Sequence, residues 1–577
     1  MSPRLPGRSA RALWYVAAVI STTTLLLFAS VGAAGASAGD TPVPVTPYSG
    51  FNPALARAPY VTDLTQTSAY VTWATTSQTP GSIKVAPTVN GSCPSSTTQW
   101  DASAIKVTTA LPGPVNPVNS AGSSSMTGWA YSFSDGATTF HQYQSSVRLS
   151  GLTAGTAYCY AIFSTAKAGA VDLLPSTQPT QSFTTLDDPA SPAPSQTFAV
   201  LGDVGESFYY TSSSQSLPFP EGYNPDQAAL LSQIGSSGAK FMVLAGDLSY
   251  SGGTQATYGD LTHSSTQSEL SNVFGPAYLP TTGGLPVFTA DGNHGQNVVT
   301  LRNWPTSDTA RASGGTYALD SYSGVDGISG TFPDSWYAFS SGNVRLYMLD
   351  VAWSDSTLGS TTGNLCATPS ACRGYQADYD EHWQPTSAEY QWLAGDLAAH
   401  PGGVKIAVFH FPLRSDNATQ PSNPYLLNDP VNPAAGTSLE ALLATNGVRL
   451  AFTGHAHTYQ RIAPLGSGQI VSYVVGGGGG VLEPVLGGST CKSLLRTADV
   501  FAIGWSPSRT SPPDGKGSYC GPAINQGGAA LAAATPQSAA DVYSYALITV
   551  TGTSVRVVGV NAAGQQFDAQ TYDYSRG

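Results

Sequence analysis

Charge is scarce in this chain. Only 10% of its 577 residues are Asp, Glu, Lys or Arg, and acidic residues outnumber basic ones 35 to 23. No Lys/Arg-rich run occurs, which argues against a nucleic acid backbone as partner, because clustered cations carry that binding. After the first 38 residues no apolar run approaches membrane length, so no membrane span is expected there. No cysteine pair has CxxC spacing, which leaves out the common thiolate metal sites. Histidine is rare as well, with 8 in the whole chain.

Gly, Ser, Thr and Ala are abundant instead, a composition that suits a turn- and strand-rich exported protein. The length requires two or more domains. Arg4, Arg8 and Arg11 precede an apolar run that ends in the small-residue signal Ala36-Ser37-Ala38. Residues 1–38 therefore read as a signal peptide, and the mature chain is expected to be secreted and free of the membrane. Thr22–Thr24 and the cleavage signal oppose the alternative, an uncleaved anchor. Loss of the three arginines takes the formal charge from −12 to −15. Six cysteines, an even number, suggest disulfides in an exported chain. Fifteen pairings are possible. Nearest neighbours would join Cys93–Cys159, Cys366–Cys372 and Cys491–Cys520.

Residues 39–56 are Pro-rich and extended. From 57 to 187 short alternating strands dominate, among them 68–75 around Trp73, a strand–turn–strand at 145–165 and a last strand at 180–186. The stretch LTAGTAYCY with Tyr158, together with Trp73, resembles the tyrosine corner and core tryptophan of fibronectin type III or related immunoglobulin-like sandwiches. Residues 111–128 read as a loop insertion and 188–196 as a linker. From 197 to 577 apolar runs alternate with helices, the grammar of an α/β domain. Asn224 and Pro225 start one helix and Gly235 stops it; capping boxes are expected at Thr386/Glu389 and Thr437/Glu440. The C-terminal strands are expected to complete a sheet of the same domain.

Five apolar runs each lead to a potential metal ligand: Asp203, Asp247, Asn293, His410 and His455, with His457 two residues on. Ligands gather at the C-terminal ends of strands, so five strand ends of one sheet would bring these residues together. Carboxylates mixed with imidazoles suit first-row transition metals, whereas an all-oxygen cage suits Mg or Ca. Two Asp, one Asn and three His exceed the needs of one tetrahedral ion and fit two, an arrangement that hydrolyses phosphate esters.

GDVGE, GDLSY, GNH, FH and GHAH occur in the order found in calcineurin-like metallophosphoesterases, and GDLSY resembles the purple acid phosphatase branch. The resemblance implies a β-sandwich flanked by helices, preceded here by the all-β sandwich. It implies one ion on Asp203, Tyr250 and His457, a second on Asn293, His410 and His455, and Asp247 as bridge. The ions would be Fe(III) with Fe(II), Zn(II) or Mn(II), and hydroxide would attack the phosphate of a monoester. His294 would contact phosphate or assist the leaving group. An alternative is a diesterase or nucleotidase of the same fold using Mn or Zn. Gly295 stands where the family has Glu, Ala407 where it has Val, and no histidine follows His410 in its loop. The inserts 208–224 and 482–540 would rim the cleft. The glycine run 476–480 suits either a turn at the metals or a simple turn.

Overall fold

The computed structural model describes residues 51–575 apart from 78–80, 105, 111–129, 136–137, 165–169, 175–180, 206–223, 249–260, 262–274, 276, 291, 293–319, 322–328, 333–335, 353–382, 416–424, 430–433, 435, 465, 481, 484–499, 506–518 and 525–535. These residues lie in one compact unit, Val43–Gly577. Among them no helix is long and apolar enough to cross a membrane.

Eight strands form the N-terminal region: β1 (Leu55–Thr62), β2 (Ser68–Thr75), β3 (Gly81–Pro87), β4 (Lys106–Ala110), β5 (Ala130–Asp135), β6 (Thr138–Ser150), β7 (Ala157–Phe163) and β8 (Ser182–Thr184), with helix α1 (Thr97–Ser103) after β3. They build two four-stranded sheets ordered β1-β2-β6-β5 and β4-β3-β7-β8, consistent with a β-sandwich. Trp73, Val71, Ile83 and Tyr160 are buried in one hydrophobic cluster. The Tyr158 hydroxyl accepts the Thr153 backbone N–H at 2.9 Å, the hydrogen bond of a tyrosine corner. Cys93 and Cys159 are disulfide-bonded. Cys366, Cys372 and Cys491 lie outside the described residues, as do the 111–128 insertion and most of 208–224 and 482–540.

The expected linker, 188–196, overlaps a strand at its C-terminal end. Strand β9 (Ser195–Leu201) begins inside it, because Ser195 and Gln196 pair with Thr551 and Val550. Just before it, the Lys240 ammonium donates to the buried Asp187 carboxylate at 2.7 Å.

The C-terminal region continues with α2 (Pro225–Ser236), β10 (Met242–Ala245), α3 (Tyr278–Thr282), β11 (Val287–Ala290), β12 (Asp320–Ser321), β13 (Ser329–Phe332), β14 (Tyr337–Ser341), β15 (Val344–Met348), α4 (Ala388–Ala399), β16 (Val404–Val408), α5 (Leu439–Thr445), β17 (Val448–Thr453), β18 (Tyr459–Ile462) and β19 (Val471–Val475). It ends with β20 (Val500–Trp505), β21 (Tyr519–Ile524), β22 (Ser544–Thr551), β23 (Ser554–Asn561) and β24 (Gln566–Asp573). Two mixed sheets result, β11-β10-β9-β22-β23-β24 and β12-β13-β14-β15-β16-β17-β19-β18-β20-β21. The C-terminal strands thus complete the sheet of β9–β11.

Rings bridge the two sheets: Phe288 stacks on Phe339 at 3.8 Å and Tyr459 meets Phe567 at 4.8 Å. Alternation along the strands separates two cores. Leu346, Ile406 and Leu450 face the inter-sheet core, while Tyr347, Ala407 and Ala451 join Leu393 and Leu397 of α4 and Leu439 and Leu443 of α5. The architecture is a two-sheet α/β fold with flanking helices.

Three helix-end expectations are corrected. The N-caps are Ser387 and Ser438, which place Glu389 and Glu440 at the second helical position, too early to reach back to the cap. Both glutamates serve other groups: Glu389 accepts the Asp350 N–H, and Glu440 accepts both arms of Arg414 at 2.7 and 2.8 Å. Gly235 lies within α2, and does not end it. A Cβ there would stand 1.9 Å from the Thr281 carbonyl oxygen, so the residue permits close packing of α2 on α3. Gly235→Ala is expected to cost about 1–3 kcal/mol through overpacking, read as a lower urea midpoint with unchanged slope.

Candidate metal centre

Four of the described ligand candidates sit two residues beyond a strand, and His457 follows His455 in the same loop. Asp203 follows β9, Asp247 follows β10, His410 follows β16 and His455 follows β17. These strands belong to two sheets packed face to face, which corrects the expectation of one sheet. β9 and β10 come from the six-stranded sheet, β16 and β17 from the ten-stranded one. The site forms where the C-terminal ends of both meet.

Ligand atoms of Asp203, Asp247 and His410 all lie within 4.8 Å of one another, and all three residues are buried. His410 Nε2 is 3.2 Å from Asp247 Oδ1, and His457 Nε2 is 3.3 Å from Asp203 Oδ1. The His455 ring lies 5.3 Å from the His410 ring. Tyr250, Asn293 and His294 lie outside the described residues.

The backbone is bent to make this possible. Asp203, Asp247 and His455 all have left-handed φ, at 56°, 48° and 69°. That region is uncommon for residues with a side chain, and such strain gathers at functional sites. Surrounding bonds hold it in place. The Asp203 N–H donates to the Gly246 carbonyl at 3.1 Å, and the Gly205 N–H to the Asp247 carbonyl at 2.9 Å. The His455 N–H reaches both Asp203 carboxylate oxygens, at 3.0 and 2.9 Å.

Glycine clears the space. Gly246 has φ 84°, and a Cβ there would meet His410 Nδ1 at 2.3 Å. At Gly454 a Cβ would stand 2.5 Å from Asp203 Oδ2. The run 476–480 belongs to the same neighbourhood: a Cβ on Gly476 would come within 2.7 Å of Asp203 Oδ2, and the Gly480 N–H donates to the Asp203 carbonyl at 2.8 Å. Buried Gln227 fixes that run by donating to the Val204 and Gly478 carbonyls.

The donor set fits a cation. His410 Nδ1 is 2.9 Å from the Ala245 carbonyl oxygen, which can accept the Nδ1–H and so leave Nε2, beside Asp247, available to a cation. Burial alone would lower the proton affinity of His410, but the Asp247 carboxylate beside it turns the net shift upward. Two buried carboxylates at this distance call for positive charge between them.

Glu483 was not singled out by sequence reasoning. Its Oε2 accepts the His457 N–H at 3.3 Å. Burial, followed by the repulsion of Asp203 and Asp247, pushes its carboxyl up, against an opposing pull from His457. The only signal was a lone acid three residues after a glycine run. Tyr459 and Arg461 turn away from the centre to Asp568, so their role is structural.

Residues 196–459 match the family model described as calcineurin-like phosphoesterase. No curated protein matches the chain. Among solved structures, the chain is similar to purple acid phosphatase PPD1 from yellow lupin (Lupinus luteus) seeds, with 14% identity and a TM-score of 0.47, covering 90% of this chain and 75% of that one. It is also similar to PhoD, with 12% identity and a TM-score of 0.44, covering 91% and 90%.

Gly246→Ala places a methyl against the His410 ring in a backbone conformation alanine resists. Metal retained per chain after gel filtration, measured by mass spectrometry, should fall to a small fraction of wild type while the far-ultraviolet dichroism stays unchanged.

Proposed function

We propose that the chain, whose residues 196–459 match the calcineurin-like phosphoesterase model, is a metal-dependent phosphoester hydrolase, and more finely an exported, purple-acid-phosphatase-like enzyme acting on phosphate monoesters. The observation that carries this reading is the meeting of Asp203, Asp247, His410, His455 and His457 at the joined ends of two sheets. His457 stands at Asp203 and His455 at His410, which supports two ions: one on Asp203, Tyr250 and His457, the other on Asn293, His410 and His455, with Asp247 between them. The phenolate of Tyr250 suits Fe(III); the second ion would be Fe(II), Zn(II) or Mn(II). Cations so placed acidify water and polarise the phosphoryl oxygens.

The chain's own contribution is preorganisation. Ala245 fixes the His410 tautomer, the His455 N–H holds the Asp203 carboxylate in one orientation, and the close-packed glycines leave no room for these groups to relax. His294, next to Asn293, is assigned to the phosphate or the leaving group. Export is supported by the composition of residues 1–38 and by the Cys93–Cys159 disulfide, which belongs to an oxidising compartment. We read the N-terminal sandwich as fibronectin type III-like, on its strand order and the Tyr158 corner.

A second reading, a diesterase or nucleotidase using Mn or Zn, is favoured by one observation. The loop after His410 contains no histidine to grip a monoester dianion. The iron-containing protein is expected to be coloured by tyrosinate-to-Fe(III) charge transfer, and Tyr250→Phe to abolish that band. Asp247→Asn should lower kcat/KM on an aryl phosphate monoester by more than about 100-fold. A preference of more than about tenfold for diesters, about 1.4 kcal/mol, would select the second reading.

A further inference from the structure

Two backbone-directed hydrogen bonds join His457 to Glu483, 26 residues further along the chain. The His457 N–H donates to Glu483 Oε2 at 3.3 Å, and the Glu483 N–H donates to the His457 carbonyl at 3.1 Å. A reciprocal pair of this kind fixes the peptide planes on both sides of His457. The ring of that residue is the one whose Nε2 meets Asp203 Oδ1.

Several described contacts hold the chain on the N-terminal side of Glu483. Leu482 before it is buried in the main core. The Gly478 and Gly480 N–H groups donate to the carbonyls of Gly202 and Asp203, so the chain leading to Glu483 is laced to the loop that carries Asp203. Asn224 adds a bond to the Gly479 carbonyl at 2.9 Å. Glu483 is half-buried, and Gly295, next to His294 in the sequence, brings no carboxylate of its own.

Resting on the reading of His455 and His457 as ligands, we propose that Glu483 is a positioning residue of the metal centre, whose negative charge and backbone grip on His457 strengthen binding of the cation that His457 and Asp203 share. A carboxylate in this place stiffens the ligand loop and adds to the charge that balances the ion, without touching it.

The test is Zn(II) titration of metal-free full-length protein against a chromogenic chelator, which reads affinity independently of turnover. Glu483→Gln keeps an acceptor for the His457 N–H and removes the charge; Glu483→Ala removes both. One of the two equivalents should bind about 10–100-fold more weakly in Glu483→Gln, and at least as weakly in Glu483→Ala. A merely structural residue would lower the melting temperature of the metal-free protein and leave Zn(II) affinity alone. Wild-type affinity, within about twofold, for both equivalents in Glu483→Gln would overturn the inference, and an unfolded Glu483→Ala would not rescue it. Asp247→Asn runs alongside. If it loses tight Zn(II) binding while Glu483→Gln does not, the site reading stands and the role of Glu483 falls. If Asp247→Asn also binds two equivalents normally, both fall.

Discussion

The backbone N–H of His455 donates to both carboxylate oxygens of Asp203, and in doing so it joins the loop ends of two different sheets. β9 ends before Asp203 and β17 ends before His455. For the N–H of one to face the carboxylate of the other, each chain must turn sharply within two residues of its last strand position. This is why both residues have left-handed φ, and why Asp247, which closes the next strand in the same manner, has it too. The strain of order 1–3 kcal/mol at each position persists because neighbouring carbonyls and glycines leave the loops no alternative. His410 enters from the second sheet and is held beneath them by Ala245.

The loop carrying His455 and His457 is held at entry and exit. At entry the Gly454 N–H donates to the His410 carbonyl, which ties neighbouring ligands directly together. At exit, β18 is bolted to the opposite sheet. Asp568 of β24 accepts the Tyr459 hydroxyl at 3.0 Å and the Arg461 guanidinium at 2.8 and 3.2 Å, and Gln570 adds a further donor. A buried ion pair contributes little net stability unless every lone pair is satisfied. Here Asp568 is satisfied by four donor contacts, and its value is registry: it fixes where β18 begins, and hence where the histidine loop must end.

Much of the site was legible because its chemistry is written in short local signals. An apolar strand followed by Gly-Asp or Gly-His specifies both the turn and the ligand, and four of the five runs led to residues that the structure brings together or into adjacent loops. What could not be read was the partnership of elements. A strand's hydrophobic run does not say which sheet it joins, so β9 and β16 looked alike though they stand in opposing layers. Cap residues were misplaced by one because Thr-Ser pairs offer two hydroxyls, and only the commitments of Glu389 and Glu440 to distant groups decide between them. Gly235 and Glu483 were hidden for the same reason. The value of each depends on a residue tens of positions away, Thr281 in one case and His457 in the other.

That dependence on distant partners extends to the N-terminal sandwich. Composition marks residues 188–196 as a linker, and the sandwich before them is also joined to the region after them by direct contacts. Gln66 donates to the Ser340 carbonyl at 2.8 Å, the Ser182 N–H to the Gly283 carbonyl at 3.0 Å, and the Leu261 N–H to the Ala56 carbonyl at 2.8 Å. Tyr160 packs so closely on Gly284 that a Cβ there would come within 2.6 Å of its hydroxyl. Gly283 and Gly284 connect α3 to β11, and β11 is the strand whose sequence runs on to Asn293. A contact of this density cannot slide, because interiors at crystal-like packing shift only by repacking. The sandwich therefore acts as a buttress: it fixes the connection from which β11 starts, and so contributes to where the β11 end stands relative to the loops of Asp203 and Asp247.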